Sequence, residues 1–294
     1  MSTQVIIWGG LVLAILGFLA IDFFLFGRRG ITFRSTVIWS IFWLALGMSF
    51  TFVMGAWQGR DAAEEYLAGY LIERSLSIDN IFVFALIFAS FAIPMNKQGR
   101  LLSIGIVMAL VMRAVFIVAG AALLDAFHVT IYLFGLLLVA TGIKLARHSS
   151  EEVHPERNIV LRGMKRVWPG TTVTAAVVVV LATTDLIFAI DSIPAIFAIT
   201  EDAFIVFAAN AFALLGLRSL YFLLAGMMDR FAYLTHGLAI VLVWVGAKML
   251  LTDIWKVPTW LSLLVIVGVL AGAIGLSFFS TRAREPENPT EASQ

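Results

Sequence analysis

The chain has 294 residues, of which 61% are hydrophobic and 13% charged, with a mean hydropathy of +0.98. Soluble domains are roughly 45–50% apolar and about 25% charged, so an ordinary water-soluble fold is excluded and an all-α polytopic membrane protein is implied. The net charge of +1 gives no ground for a nucleic-acid partner, and the lack of cysteine excludes disulfides, Fe–S clusters and thiolate metal sites.

A span needs about 20 mostly apolar residues. Nine segments qualify: 5–26, 37–56, 66–93, 101–124, 129–147, 171–198, 202–226, 231–252 and 258–280. The first has no positive charge before it and Arg28 and Arg29 after it. That pattern reads as a retained helix with its N-terminus outside, not as a cleaved signal. Segment 1–57 therefore carries two N-terminal transmembrane helices. Alternating the nine spans puts Arg28, Arg29, Arg34, Lys97, Arg100, Arg147, Arg157, Arg162, Lys165, Arg166, Arg230, Arg282 and Arg284 on one side. Arg60 and Lys256 fall on the other, diluted by Asp61, Glu64, Glu65, Glu201, Asp202 and Asp253. The asymmetry places the C-terminus in the cytoplasm.

Residues 148–169 form a polar cytoplasmic loop with His148, Glu151, Glu152 and His154. No compact ligand spacing appears there, so a solvated linker is favoured over a metal sensor. The tail 281–294 is short and polar and reads as disordered.

Between these segments lies an internal repeat. "ERSLSIDNIFVFA" from Glu73 aligns with "DLIFAIDSIPAIFA" from Asp185, matching Glu73 to Asp185, Asp79 to Asp191 and Asn80 to Ser192. "RAVFIVAGAALLD" from Arg113 is similar to "RSLYFLLAGMMD" from Arg218, and "GIK" at 142–144 to "GAK" at 246–248. The copies, 66–147 and 170–253, hold three spans each, and 257–280 is the last transmembrane helix. An odd number of spans inverts the second copy, giving an inverted 3+3 helix repeat of the kind found in secondary transporters.

Each acid pair is separated by six residues, or about 9 Å along a helix and about 120° around it. Acids on one unbroken helix therefore cannot easily grip one small ion together. Inversion offers cross-repeat pairs instead, Glu73 level with Asp191 and Asp79 level with Asp185. A break near Ser192-Ile193-Pro194 would free carbonyls as further ligands.

Four carboxylates at membrane depth cost roughly 10–14 kcal/mol if uncompensated. That is comparable with a domain's whole stability of about 5–15 kcal/mol, so the acids must be protonated, paired, hydrated or metal-bound. Arg74, Arg113 and Arg218 could neutralise three of them as structural ion pairs. The equal spacing of the duplicated acids favours a cation pathway. Asp22, near the inner end of the first span, is a fifth acid that can snorkel or take part directly. The available ligands are the carboxylates, the Asn80 amide and the Ser77 and Ser192 hydroxyls, all hard oxygens suited to Mn²⁺, Mg²⁺ or Ca²⁺. Neither a Walker A pattern nor HExxH is present, so the chain is not expected to be an enzyme.

The segments "SIDNIFVFALIF" and "ATTDLIFAIDSIPAIFAIT" resemble the two signature segments of the TerC family, which belongs with the LysE-type transporters of inverted three-helix repeats. The resemblance implies manganese export and an association with tellurite resistance. It makes Glu73, Asp79, Asp185 and Asp191 the metal-handling residues, with Asn80 and Ser192 beside them. The expectation is an inner (plasma) membrane secondary transporter that exports Mn²⁺ as cargo, in exchange for H⁺ or another ion and without a resident cofactor. The alternative is a non-transporting membrane scaffold of a tellurite or metal-stress complex.

Overall fold

The structure is a computed structural model that describes residues 2–28, 33–127, 129–147, 172–224, 233–254 and 257–282. The loop with His148, Glu151, Glu152 and His154, and most of the C-terminal tail, lie outside the described residues. Among the described residues the chain is helical and has no strand. In order the helices are α1 (Ser2–Arg28), α2 (Phe33–Gln58), α3 (Arg60–Ser90), α4 (Met95–Ala126), α5 (Val129–Arg147), α6 (Val173–Phe197), α7 (Ala203–Leu214), α8 (Leu217–Leu224), α9 (Leu234–Leu250) and α10 (Thr259–Arg282).

Local chemistry sets several of these ends. The Thr172 hydroxyl accepts from the Ala175 amide at 3.2 Å and caps α6. The Asp202 carboxylate accepts from the Phe204 amide at 2.8 Å and caps α7. Each cap satisfies an amide that the helix itself leaves orphaned.

Six helices are long and apolar enough to cross a bilayer: α1, α2, α4, α5, α6 and α10. α7 and α8, bent by 44° at their junction, make a seventh if taken as one span. α3 is 31 residues long, but Glu73, Arg74 and Asp79 interrupt its apolar half. α9 is short, at 17 residues. By length and apolarity, the nine expected spans thus reduce to six or seven among the described residues.

α3, α4, α6 and α7 pack around one another at the centre, with α2 against α3 and α8, and α10 against α3 and α9. α7 is buried on every face, from Phe204 to Leu214, which suits a helix that is apolar all round. The outer helices do the reverse. Ile6 and Leu13 of α1 and Phe52 of α2 are exposed, as side chains facing lipid are.

α5 lies closely along α9. A Cβ on Gly246 would lie 2.7 Å from the Gly135 carbonyl oxygen, and one on Gly142 would lie 2.8 Å from that of Ala239. Without side chains at these points the backbones themselves touch. Gly246→Ala is expected to force the helices apart and destabilise the chain by about 1–3 kcal/mol. Gly268→Ala, with nothing within 4 Å of the added carbon, is the control. Thermal melting of both in detergent checks this, and equal melting would refute the close-contact argument.

Candidate functional site

The site forms where α3, α4, α6 and α7 meet. Glu73, Ser77 and Asn80 lie at helical spacing on one side of α3, and all are buried. Asp185 and Ser192 share one side of α6 and are also buried. α4 contributes Arg113, with no exposed surface, and α7 contributes Asn210, also fully buried. Seven polar side chains in an apolar core require partners, since an unpaired buried charge or amide is costly.

Arg113 is the hub. Its Nη1 donates to Glu73 Oε1 and, at 2.6 Å, to Asn210 Oδ1. Its Nη2 reaches Asp185 Oδ1 at 3.3 Å, and its Nε reaches Asp185 Oδ2 at 3.5 Å. Ser192 Oγ stands 3.4 Å from Nη1. One guanidinium thus spans two carboxylates from helices at equivalent places in the sequence repeat. The planar fork of arginine is what permits this bridge. Among the described residues Glu73 Oε2 and Ser77 Oγ, four residues apart on α3, have no hydrogen-bond partner. They are unpaired hard oxygens beside the pair.

The other two buried arginines are engaged elsewhere. Arg74 Nη1 donates to the carbonyls of Ala213 at 2.8 Å and Leu215 at 3.0 Å, at the broken end of α7. Arg218 Nη2 donates to the Asp22 carbonyl at 2.8 Å, its Nη1 donates to Ser103 Oγ at 2.9 Å, and its Nε stands 3.6 Å from Asp22 Oδ2. Asp22 does not snorkel: it is buried and faces Arg218.

One expectation needs correction. α6 does not break at Ser192-Ile193-Pro194 but runs through Pro194 to Phe197. Pro194 withholds only one amide, close to the C-terminal end, and the last turn absorbs that loss. The break lies instead at Leu215-Gly216, between α7 and α8. The sequence also leads to the expectation of Glu73 level with Asp191 and Asp79 level with Asp185. The described contacts join Glu73 to Asp185 through Arg113. The side chains of Asp79 and Asp191 lie outside the described residues, although their backbones belong to α3 and α6. Among the described residues no three acid or histidine side chains converge as a metal cage.

Asn210 was missed, although a lone amide in "AFIVFAANAFALL" was a visible signal. A small cavity of about 10 Å³ adjoins Asp185, lined also by Gly105, Ile106, Leu181 and Leu217. It is on the scale of one water molecule.

Comparison with known proteins fits this architecture. The model of the integral membrane protein TerC family matches residues 58–285. The membrane protein STKORF319 of Myxococcus xanthus is 40% identical over 94% of this chain and 93% of its own. The Alx protein of Escherichia coli K12, which carries the provisional name of a membrane-bound redox modulator, is 38% identical over 90% of this chain and 92% of its own. The membrane protein Mb2742 of Mycobacterium bovis is 35% identical over 97% of this chain and 82% of its own. No solved structure matches the chain. Helices long and apolar enough to span, lipid-type outer faces and this match over most of the sequence lead to one conclusion: the chain is a multi-pass integral membrane protein of the TerC family.

Proposed function

We propose that the chain is a secondary transporter that exports a hard divalent cation, Mn²⁺, across the inner membrane, with its N-terminus outside and its C-terminus in the cytoplasm. The observation that carries this reading is the meeting of Glu73 and Asp185, counterparts in the two repeat copies, at one buried point. Buried acids facing the inside of a helical membrane protein mark ion paths.

The α5–α9 contact supports the inverted repeat. Aligning "GIK" with "GAK" makes Gly142 the counterpart of Gly246, and Gly135 that of Ala239. The two close approaches, Gly135 with Gly246 and Gly142 with Ala239, exchange into each other under that alignment. A two-fold relation between the copies requires this exchange. Nine spans then follow by counting α3, the α7–α8 pair and α9 as crossings. A redox role of the kind named for Alx would have no thiol to act through here.

Arg113 also favours a second reading, the non-transporting scaffold, in which the acids are structural ion pairs. Mn²⁺ uptake into inside-out vesicles separates the two. Wild type is expected to show flux that responds to an imposed pH gradient, and Asp79→Asn and Asp191→Asn to lose it at equal amounts of folded protein. Absence of flux above empty vesicles for Mn²⁺, Ca²⁺ and Zn²⁺ alike would establish the scaffold reading.

A further inference from the structure

We propose that Arg113 is a tethered cation that competes with the transported ion for Glu73 and Asp185, occupying the site whenever the ion is absent. This inference rests on the transporter reading and deepens it. It assigns a role to a side chain that an ion pathway built from acids alone does not need.

Steric grounds come first. Arg113 has no exposed surface and its guanidinium occupies the space between the two carboxylates. A hard divalent cation takes about six oxygen ligands at close range. The cavity beside Asp185 is about 10 Å³, with otherwise apolar walls. That volume suits roughly one water and cannot hold an ion together with its ligands. An ion at Glu73 and Asp185 therefore requires the guanidinium to move.

Electrostatics points the same way. Among the described side chains the acid pair and Arg113 sum to one negative charge. A divalent ion added beside a fixed arginine would invert that to one positive charge. An ion that displaces the guanidinium from between the carboxylates leaves the acid pair neutral and puts distance between the two cations. In a low-dielectric interior, uncompensated charge is expensive, so exchange is favoured over joint occupancy.

The third ground is a place for the displaced group to hold. Asn210 Oδ1 accepts from Nη1 at 2.6 Å, and Asn210 Nδ2 donates to the Val206 carbonyl at 3.1 Å, which fixes the amide with its oxygen toward Arg113. Ser192 Oγ lies 3.4 Å from the same nitrogen. These neutral acceptors give Nη1 partners other than a carboxylate, so the guanidinium can swing off Glu73 and Asp185 without losing every hydrogen bond. The other buried arginines show that this placement is particular. Arg74 is held by backbone carbonyls and Arg218 by Asp22 and Ser103. Of the three buried arginines among the described residues, Arg113 alone touches Glu73 and Asp185.

A competitor inside the site lowers apparent affinity by the fraction of time the site is free, as for any binding state that is only partly populated. It also neutralises the empty site, so the ion-free carrier can return without dragging bare carboxylates through the barrier. Removing Arg113 should then tighten binding and slow turnover together.

The test uses the full-length chain purified in detergent, with ⁵⁴Mn²⁺ binding by equilibrium dialysis and flux after reconstitution. Arg113→Gln is expected to bind Mn²⁺ roughly tenfold or more tighter than wild type while its flux falls. Arg113→Lys, whose single ammonium cannot fork between two carboxylates, is expected to tighten binding by a smaller factor and carries the test if Arg113→Gln is not recovered folded. A folded Arg113 variant that binds Mn²⁺ as weakly as wild type, or more weakly, overturns the proposal and makes the arginine a structural brace. If wild type and variants all fail to bind, the transporter reading falls as well. Binding by wild type with no tightening in the variants removes only the competition.

Discussion

Glu73→Gln is expected to abolish Mn²⁺ flux and to lower the melting temperature of the detergent-solubilised chain by several degrees. The carboxylate is fully buried and, among the described residues, is the closest acid to Arg113. Removing it leaves Arg113 with only the longer contacts to Asp185, and disrupting a buried pair costs up to about 3–5 kcal/mol. Glutamine keeps the volume and one acceptor, so the loss reports charge and not a cavity. Asp185→Asn is expected to cost less stability, because its contacts to Arg113 are longer, at 3.3 and 3.5 Å. Glu73 still holds the guanidinium in that variant.

The triple variant Glu73→Gln/Asp185→Asn/Arg113→Gln sharpens the result. Replacing the arginine and both carboxylates with neutral amides leaves no charge in the triad, so stability should recover part of the way toward wild type. Flux should not recover, because the ion has lost a ligand. Two readouts that move in opposite directions on the same background separate folding from transport. If Glu73→Gln melts with wild type and still carries Mn²⁺, Glu73 belongs to neither the ion pair nor the path.

The acid pair was legible from sequence because its signal is chemical. A carboxylate in an apolar run is rare, and two such runs with equal spacing are rarer. What spacing could not supply was the choice among three arginines. Arg74 and Glu73 are neighbours on α3, yet Arg74 is held by the carbonyls of Ala213 and Leu215 while Arg113, forty positions away, holds Glu73. Arg218 aligns with Arg113 but meets Asp22, on a helix outside both repeat copies. The repeat therefore does not predict its partner. Position along α6 likewise misled. Pro194 looked like a break, but near a helix end its missing amide is tolerated. α7 hid Asn210 in another way: being apolar all round, it has no polar face to say which neighbour the amide would meet.

Gly216→Ala is expected to be among the most damaging single substitutions in the chain, because the break between α7 and α8 depends on it. Gly216 has φ +73°, in the left-handed region that costs other residues roughly 1–2 kcal/mol. An added Cβ would lie 2.4 Å from Trp43 Cβ and Cγ, and Trp43 is itself buried and cannot retreat. The same break has an electrostatic lock. Arg74 satisfies the Ala213 and Leu215 carbonyls and brings a positive charge to the C-terminal end of α7, where the helix dipole is negative. Arg74→Met would leave both carbonyls short of a donor, at about 1–3 kcal/mol each. The bend also decides which way two polar groups face. Asn210 and Arg218 are eight residues apart, so an unbroken helix would set them about 80° from each other. With the 44° bend, one reaches Arg113 and the other reaches Asp22. Gly216→Ala should therefore lower the yield of monodisperse protein and its melting temperature, and Arg74→Met should do so to a lesser degree. Combined, the two should lose less than the sum, because each undoes the same junction. A Gly216→Ala chain that melts like Gly268→Ala would mean that α7 and α8 can straighten past Trp43, and that the break does not orient Asn210.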